Sequence, residues 1–112
     1  MPESMKGEFK MSALILNKEN FNAVQNSDKP VLLDFYAAWC GPCRMVSPVI
    51  EEIAEERSDL LVAKINVDEQ PELAQQFGVV SIPTLVVLKD GREVNRQLGA
   101  RPKAQILAML EV

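Results

Sequence analysis

Apolar positions along this chain fall into blocks whose period switches between two residues and about 3.6, and the blocks predict its elements. Residues 12–16 alternate weakly and predict a short first strand at a sheet edge. Asn17 is placed to cap a helix in which Phe21 and Val24 make a brief apolar stripe, ending near Gln25. Asn26-Ser27-Asp28-Lys29-Pro30 is a loop by its turn chemistry. Val31–Tyr36 is apolar at nearly every position, the pattern of a central strand covered on both faces. Over 45–57, Val46, Val49, Ile50, Ile53 and Ala54 share one side of a helix, and Glu51, Glu52, Glu55, Glu56 and Arg57 are expected to face solvent. Pro48 removes one backbone hydrogen bond inside that helix and is expected to bend it.

A further β-rich run covers 60–67 and is parallel to the strand before it, because a helix separates the two. Asp68 is expected to cap a short helix over 71–77, with Pro71 in its first turn and Gly78 at its end. Residues 84–88 and 93–98 flank Lys89-Asp90-Gly91-Arg92, whose Asp-Gly pair marks a hairpin. Pro102 opens a last helix with Ile106, Leu107 and Leu110 facing inward. The order β-α-β-α-β-α-β-β-α predicts an α/β fold: a mixed five-stranded sheet between helices, in three layers α/β/α. Residues 1–10 are polar, with few packing positions, and are expected to be a loosely ordered extension of a domain over 11–112.

Length and charge narrow the function. The 112 residues are enough for one domain with a real core. A net charge of −4 without a basic run argues against nucleic acid as a partner. No apolar stretch approaches the ~20 residues of a membrane span. The first ten residues contain no apolar core of a secretory signal, so the expected location is cytoplasmic. Disulfides in that compartment are usually transient and catalytic.

Both cysteines lie in Trp39-Cys40-Gly41-Pro42-Cys43, between the apolar strand and the long helix. A disulfide across so short a loop would stabilise the fold by roughly 2 kcal/mol, against ~3 for a loop of 15 residues. It is a poor staple and better suited to opening and closing. A helix begins at about Cys40, and unpaired N–H groups with a partial positive charge at that end favour a thiolate, the form that attacks disulfides. Pro42 fits a first turn, where its missing N–H loses no partner. Gly41 leaves the approach to Cys40 uncrowded. Cys43 lies one turn deeper on the same face, suited to resolving a mixed disulfide. Structural zinc would need four Cys or His ligands, and the chain has two Cys and no His. No metal and no cofactor is therefore expected. A C-x-x-C pair beside a βαβ pattern is a general mark of redox proteins of one fold.

With these motifs the chain resembles the thioredoxin family over 13–110. The segments that carry the likeness are Val31-Leu32-Leu33-Asp34-Phe35, Trp39-Cys40-Gly41-Pro42-Cys43, Val62-Ala63-Lys64, Ser81-Ile82-Pro83-Thr84 and Leu98-Gly99-Ala100. The resemblance implies the thioredoxin fold, with four helices and strands in the spatial order 1-3-2-4-5. It also implies a monomer that reduces protein disulfides and is recharged by a thioredoxin reductase. Cys40 matches the attacking thiol and Cys43 the resolving one. Pro83 matches a proline with a cis peptide bond after Ile82. Trp39, Ile82, Pro83, Thr84 and Gly99 match the cis-proline turn and the rim on which substrate chains lie.

Asp34 interrupts an apolar central strand, so burial should raise its pKa. By resemblance it is a base for Cys43, and Lys64 is the residue that pairs with it. The chain departs from the commonest pattern at Tyr36, where many members have a second tryptophan, and at Ala38, where an acidic residue is frequent. Two other readings stay open at this point. One is a thioredoxin-like binding or folding-aid subunit whose redox state is not essential. The other is an isomerase or oxidant of an oxidising compartment.

Overall fold

The structure, a computed structural model, describes residues 12–111. The expected extension over 1–10 lies outside the described residues, as does a domain boundary at 11. The elements in chain order are β1 (Leu14–Ile15), α1 (Phe21–Gln25), β2 (Val31–Tyr36), α2 (Gly41–Glu56), β3 (Leu61–Asn66), α3 (Pro71–Gln76), β4 (Thr84–Lys89), β5 (Arg92–Leu98) and α4 (Lys103–Met109). The five strands lie in the order β1-β3-β2-β4-β5, the order the resemblance implies. Strand β3 runs parallel to β1 and β2, and β4 is antiparallel to both β2 and β5.

Strand β2 is central, and its alternation sorts the core into two layers. Val31, Leu33 and Phe35 pack with Val24 of α1 and Leu73 of α3. Leu32 packs on the opposite face with Val46, Ile50 and Ile53 of α2 and with Ile106 and Met109 of α4. Phe35 is fully buried and lies 5.4 Å, centroid to centroid, from Phe77. Truncating such a ring to alanine costs about 3–5 kcal/mol. Asp34 shares the Leu32 face, so the carboxyl is carried in under α2.

The helix starts differ from the sequence expectation in instructive ways. Asn17 does not cap Phe21 directly. Asn17 and Asn20 exchange bonds, each backbone N–H donating to the other's Oδ1, at 2.8 and 3.0 Å. This is a reciprocal box around the turn that feeds α1. Asp68 does not cap α3 either; Gln70 holds that position without a side-chain bond. The turn before α3 is held instead by Asn66, whose Oδ1 accepts from the Asp68 and Glu69 N–H groups. The β4–β5 hairpin closes on two residues, Asp90 and Gly91, at φ 54° and 78°. Positive φ at both places is what a type I′ turn requires.

Helix α2 runs through Pro48 to Glu56. Its acidic side is not simply solvated. Glu52 and Glu56 both grip the Lys103 ammonium at 2.8 Å, fastening α2 to α4. Glu51 turns the other way, toward the sheet.

Candidate active site

The chain leaves β2 at Tyr36 and enters α2 at Gly41, so Cys40 is the N-cap of the longest helix. Its backbone is extended (φ −89°, ψ 114°), and its Sγ accepts the Cys43 N–H at 3.2 Å. Cys40 and Cys43 are joined as a disulfide, with Cα atoms 5.2 Å apart. The Cys43 N–H of the first turn therefore points at Cys40 sulfur, an arrangement that stabilises negative charge there once the bond is opened. Both residues are buried, at 5% and 2% exposure. A Cβ added at Gly41 would meet no atom within 4 Å, so the space beside this residue is open.

Facing the disulfide is the turn from α3 into β4. The Ile82–Pro83 peptide is cis. The Ile82 carbonyl oxygen lies 3.9 Å from Cys40 Sγ. The turn is fastened twice. Gly99, at φ 86°, donates its N–H to the Pro83 carbonyl at 2.8 Å. Thr84 Oγ1 donates to the Ser81 carbonyl at 2.6 Å. Thr84 is fully buried, so it is an internal tie and not part of an exposed rim. Its place directly after the proline put it with the rim in sequence, but strand alternation turns its side chain inward.

The exposed apolar surface beside the sulfurs is wider than the motifs reveal. Trp39 is 68% exposed and Val80 93%. Trp39, Val67, Val79, Val80, Ser81 and Ile82 line an open cavity of about 180 Å³. The Val79-Val80 pair carried a weak signal, two apolar residues in a loop just past a helix-ending glycine. The Trp39 ring is oriented by Asp68, whose Oδ2 accepts the indole N–H at 2.8 Å. Asp68 thus serves the indole and not the helix, whose N-cap position falls two residues later at Gln70.

Asp34 and Lys64 are register partners across β2 and β3, but they do not bond. Both Asp34 carboxylate oxygens are buried without a hydrogen-bond partner. Lys64 Nζ instead donates to Ser47 Oγ at 2.6 Å and pairs with Glu51 Oε2 at 3.5 Å. It also lies 5.0 Å from the centre of the Tyr36 ring, in cation–π range. Burial pushes the Asp34 pKa up from 3.8 to about 7; nearby Lys64 pulls it back somewhat, and Glu51 adds to the rise. Burial also raises the Tyr36 phenol. The expected Asp34–Lys64 salt bridge is thus replaced by a Lys64–Glu51 pair, because two α2 side chains reach the ammonium first. Glu51 and Ser47 carried no sequence signal; Glu51 sat within an acidic run that read as a solvated face.

At Ala38 the backbone carbonyl, not a side chain, is engaged: it accepts from Arg44 Nη1 at 2.9 Å. Among the described residues no cluster of three or more His, Cys, Asp or Glu is arranged to hold a metal ion. No helix among them is long and apolar enough to cross a membrane.

The comparisons with known proteins agree with this geometry. The thioredoxin family model matches residues 12–112. A thioredoxin from Alicyclobacillus acidocaldarius is 53% identical over 100 residues, covering 88% of this chain and 95% of that protein. A bifunctional thioredoxin reductase/thioredoxin from Mycobacterium leprae is 56% identical over 88 residues, 78% of this chain and 19% of that protein. Among solved structures, a mutant thioredoxin from Halobacterium salinarum superposes with a TM-score of 0.82 at 40% identity, covering 88% of each chain.

Proposed function

Because this chain belongs to the thioredoxin family, and is a thiol–disulfide oxidoreductase that reduces protein disulfides through its cysteine pair, we propose the following division of labour among its residues. Reduced Cys40, ionised at the mouth of α2, attacks one sulfur of a substrate disulfide. The substrate S–S bond breaks, one substrate thiolate leaves, and a Cys40–substrate bond forms. Cys43 then attacks Cys40 sulfur, the second substrate thiolate leaves, and the Cys40–Cys43 bond closes. Two electrons pass from the pair to the substrate, and the oxidised pair is the state described above. The observation that carries this reading is the position of Cys40 as N-cap, with its sulfur facing both the Cys43 N–H and the Ile82 carbonyl.

Asp34 is the proton acceptor for Cys43. A pKa of about 7 suits it to take a proton near neutral pH. Lys64 supports the carboxylate electrostatically from the adjacent strand. Trp39, Ile82, Pro83 and Gly99 form the rim against which an extended substrate segment lies, with Gly41 and Pro42 shaping the turn between the sulfurs.

Disulfide-bonded proteins are the substrates, and a reductase returns the electrons. That this is a thioredoxin reductase is favoured by the fused reductase/thioredoxin arrangement named for the M. leprae relative. The protein works in the cytoplasm as a monomer, where the pair is kept reduced. An insulin-reduction assay coupled to a thioredoxin reductase and NADPH tests the assignment. Turnover that depends on both cysteines is expected. Full activity in a Cys40→Ser, Cys43→Ser double variant, in a binding or folding assay, would instead favour the redox-independent subunit.

A further inference from the structure

Cys43, Ser47 and Glu51 occupy positions four residues apart on α2 and so form one row along the face turned to the sheet. Two of the three hold Lys64. Ser47 Oγ accepts from its ammonium at 2.6 Å, and Glu51 Oε2 lies 3.5 Å from it, a charge pair without a hydrogen bond. Glu51 is itself fixed at its other oxygen. Oε1 accepts the backbone N–H groups of Ser12 and Ala13, at 2.8 and 3.0 Å, where the chain enters β1. The carboxylate is therefore clamped between the first strand and Lys64. The outcome is that a lysine in register with Asp34 is drawn toward the helix, and Asp34 has no hydrogen-bond partner.

We propose that Glu51, with Ser47, is a positioning residue for the redox reaction: it anchors the Lys64 ammonium on α2, and in doing so holds Asp34 as an unpaired carboxyl beneath the cysteines. The ionisable groups that act on Asp34 are Lys64 from β3, Glu51 from α2 and Tyr36 from its own strand, and Cys43 stands in the α2 row that ends at Glu51. From β4 its neighbour is Leu85, which carries no charge. Lys64 is the one cation of this group. Where it sits decides how readily Asp34 keeps a proton, because an opposite charge brought into contact with a carboxylate favours ionisation by one to three pKa units. Releasing the anchor lets Lys64 close on Asp34.

The kinetic consequence rests on Asp34 as proton acceptor; the anchoring itself does not. The experiment is a carbon-13 NMR titration of the Asp34 carboxyl in the reduced full-length protein, beside the pH profile of the second thionitrobenzoate release in its reaction with 5,5′-dithiobis(2-nitrobenzoate), the step in which Cys43 resolves the Cys40 mixed disulfide. Glu51→Gln keeps an oxygen for the Ser12 and Ala13 N–H groups and removes the charge. It is expected to lower the Asp34 midpoint by about one pH unit. Ser47→Ala changes no charge and is expected to move the midpoint in the same direction by a smaller amount. In a Lys64→Met background, Glu51→Gln should produce less than about half its original shift. An unmoved midpoint in Ser47→Ala, or an equal Glu51→Gln shift with and without Lys64, overturns the anchoring. A shifted carboxyl midpoint with an unmoved reaction profile upholds the anchoring and refutes Asp34 as acceptor, so the two readings fail separately.

Discussion

Lys64 and Asp34 face each other across neighbouring strands, and the lysine turns away to Ser47 and Glu51. The buried carboxyl that results binds its proton more tightly when folded than when unfolded, with a pKa of about 7 against 3.8. Between those values the folded state holds more protons, so stability falls as pH rises. The penalty is absent below the unfolded pKa and complete once pH has passed the folded one.

Asp34→Asn should therefore stabilise the protein at pH 9 by a few kcal/mol, with about 4 as the upper bound set by the shift. The gain should fade as pH is lowered and vanish below about 4. Urea midpoints of both proteins at pH 3.5, 6 and 9 check this. A constant difference across the range would mean that titration is not its source.

Cys43→Ser should leave Cys40 able to attack but unable to release its product. Incubated with oxidised insulin, this variant is expected to accumulate a covalent adduct that dithiothreitol dissolves. Cys40→Ser should form none, because Cys43 is the deeper sulfur at the same site. Non-reducing electrophoresis followed by mass spectrometry of the adduct distinguishes them.

Two glycines with positive φ should respond unequally to alanine. At Gly99 a Cβ meets nothing within 4 Å, so the expected cost is the backbone term alone, about 1 kcal/mol. At Gly91 the Cβ would also come to 3.0 Å from the Gln25 carbonyl oxygen, and the expected cost is about 2 kcal/mol. Thermal unfolding of the two variants side by side gives the ranking.

Trp39→Phe removes an exposed indole and its bond to Asp68. Stability should change by no more than about 0.5 kcal/mol, as for most exposed positions. The KM for insulin should rise, while the rate with a small aromatic disulfide stays nearly constant, because only a long substrate reaches the rim. Equal losses with both substrates would place Trp39 in the chemistry and not in docking.

Much of this was legible in the chain itself, for identifiable reasons. Val31–Tyr36 announces a central strand because every position but one is apolar. Asp90-Gly91 announces its turn because few other pairs accept positive φ twice. Cys40 announces a helix start through the proline two residues later. What escaped were side chains whose partners are distant in sequence. Asp68 has the composition of a cap, yet an indole 29 residues earlier claims it. Glu51 lies among acids that do face outward, and only the arrival of Lys64 and of the Ser12 and Ala13 N–H groups distinguishes it. Thr84 follows the rim proline but turns inside. Local pattern shows which elements exist and in what order; which polar group answers which is decided by packing.

β5 is the outermost strand of the sheet, with only β4 beside it among the described residues. Here that strand moors both banks of the open apolar cavity proposed to receive substrate. Arg96 reaches from it to the Phe77 carbonyl at the end of α3, braced by Glu93, just before the loop that carries Val79 and Val80. Gly99, directly after the strand, ties down the proline turn. Peeling β5 away would spare the contacts α2 makes with Leu32 and Val62 and yet cast both banks adrift, so binding of a substrate chain is expected to fail before the fold does.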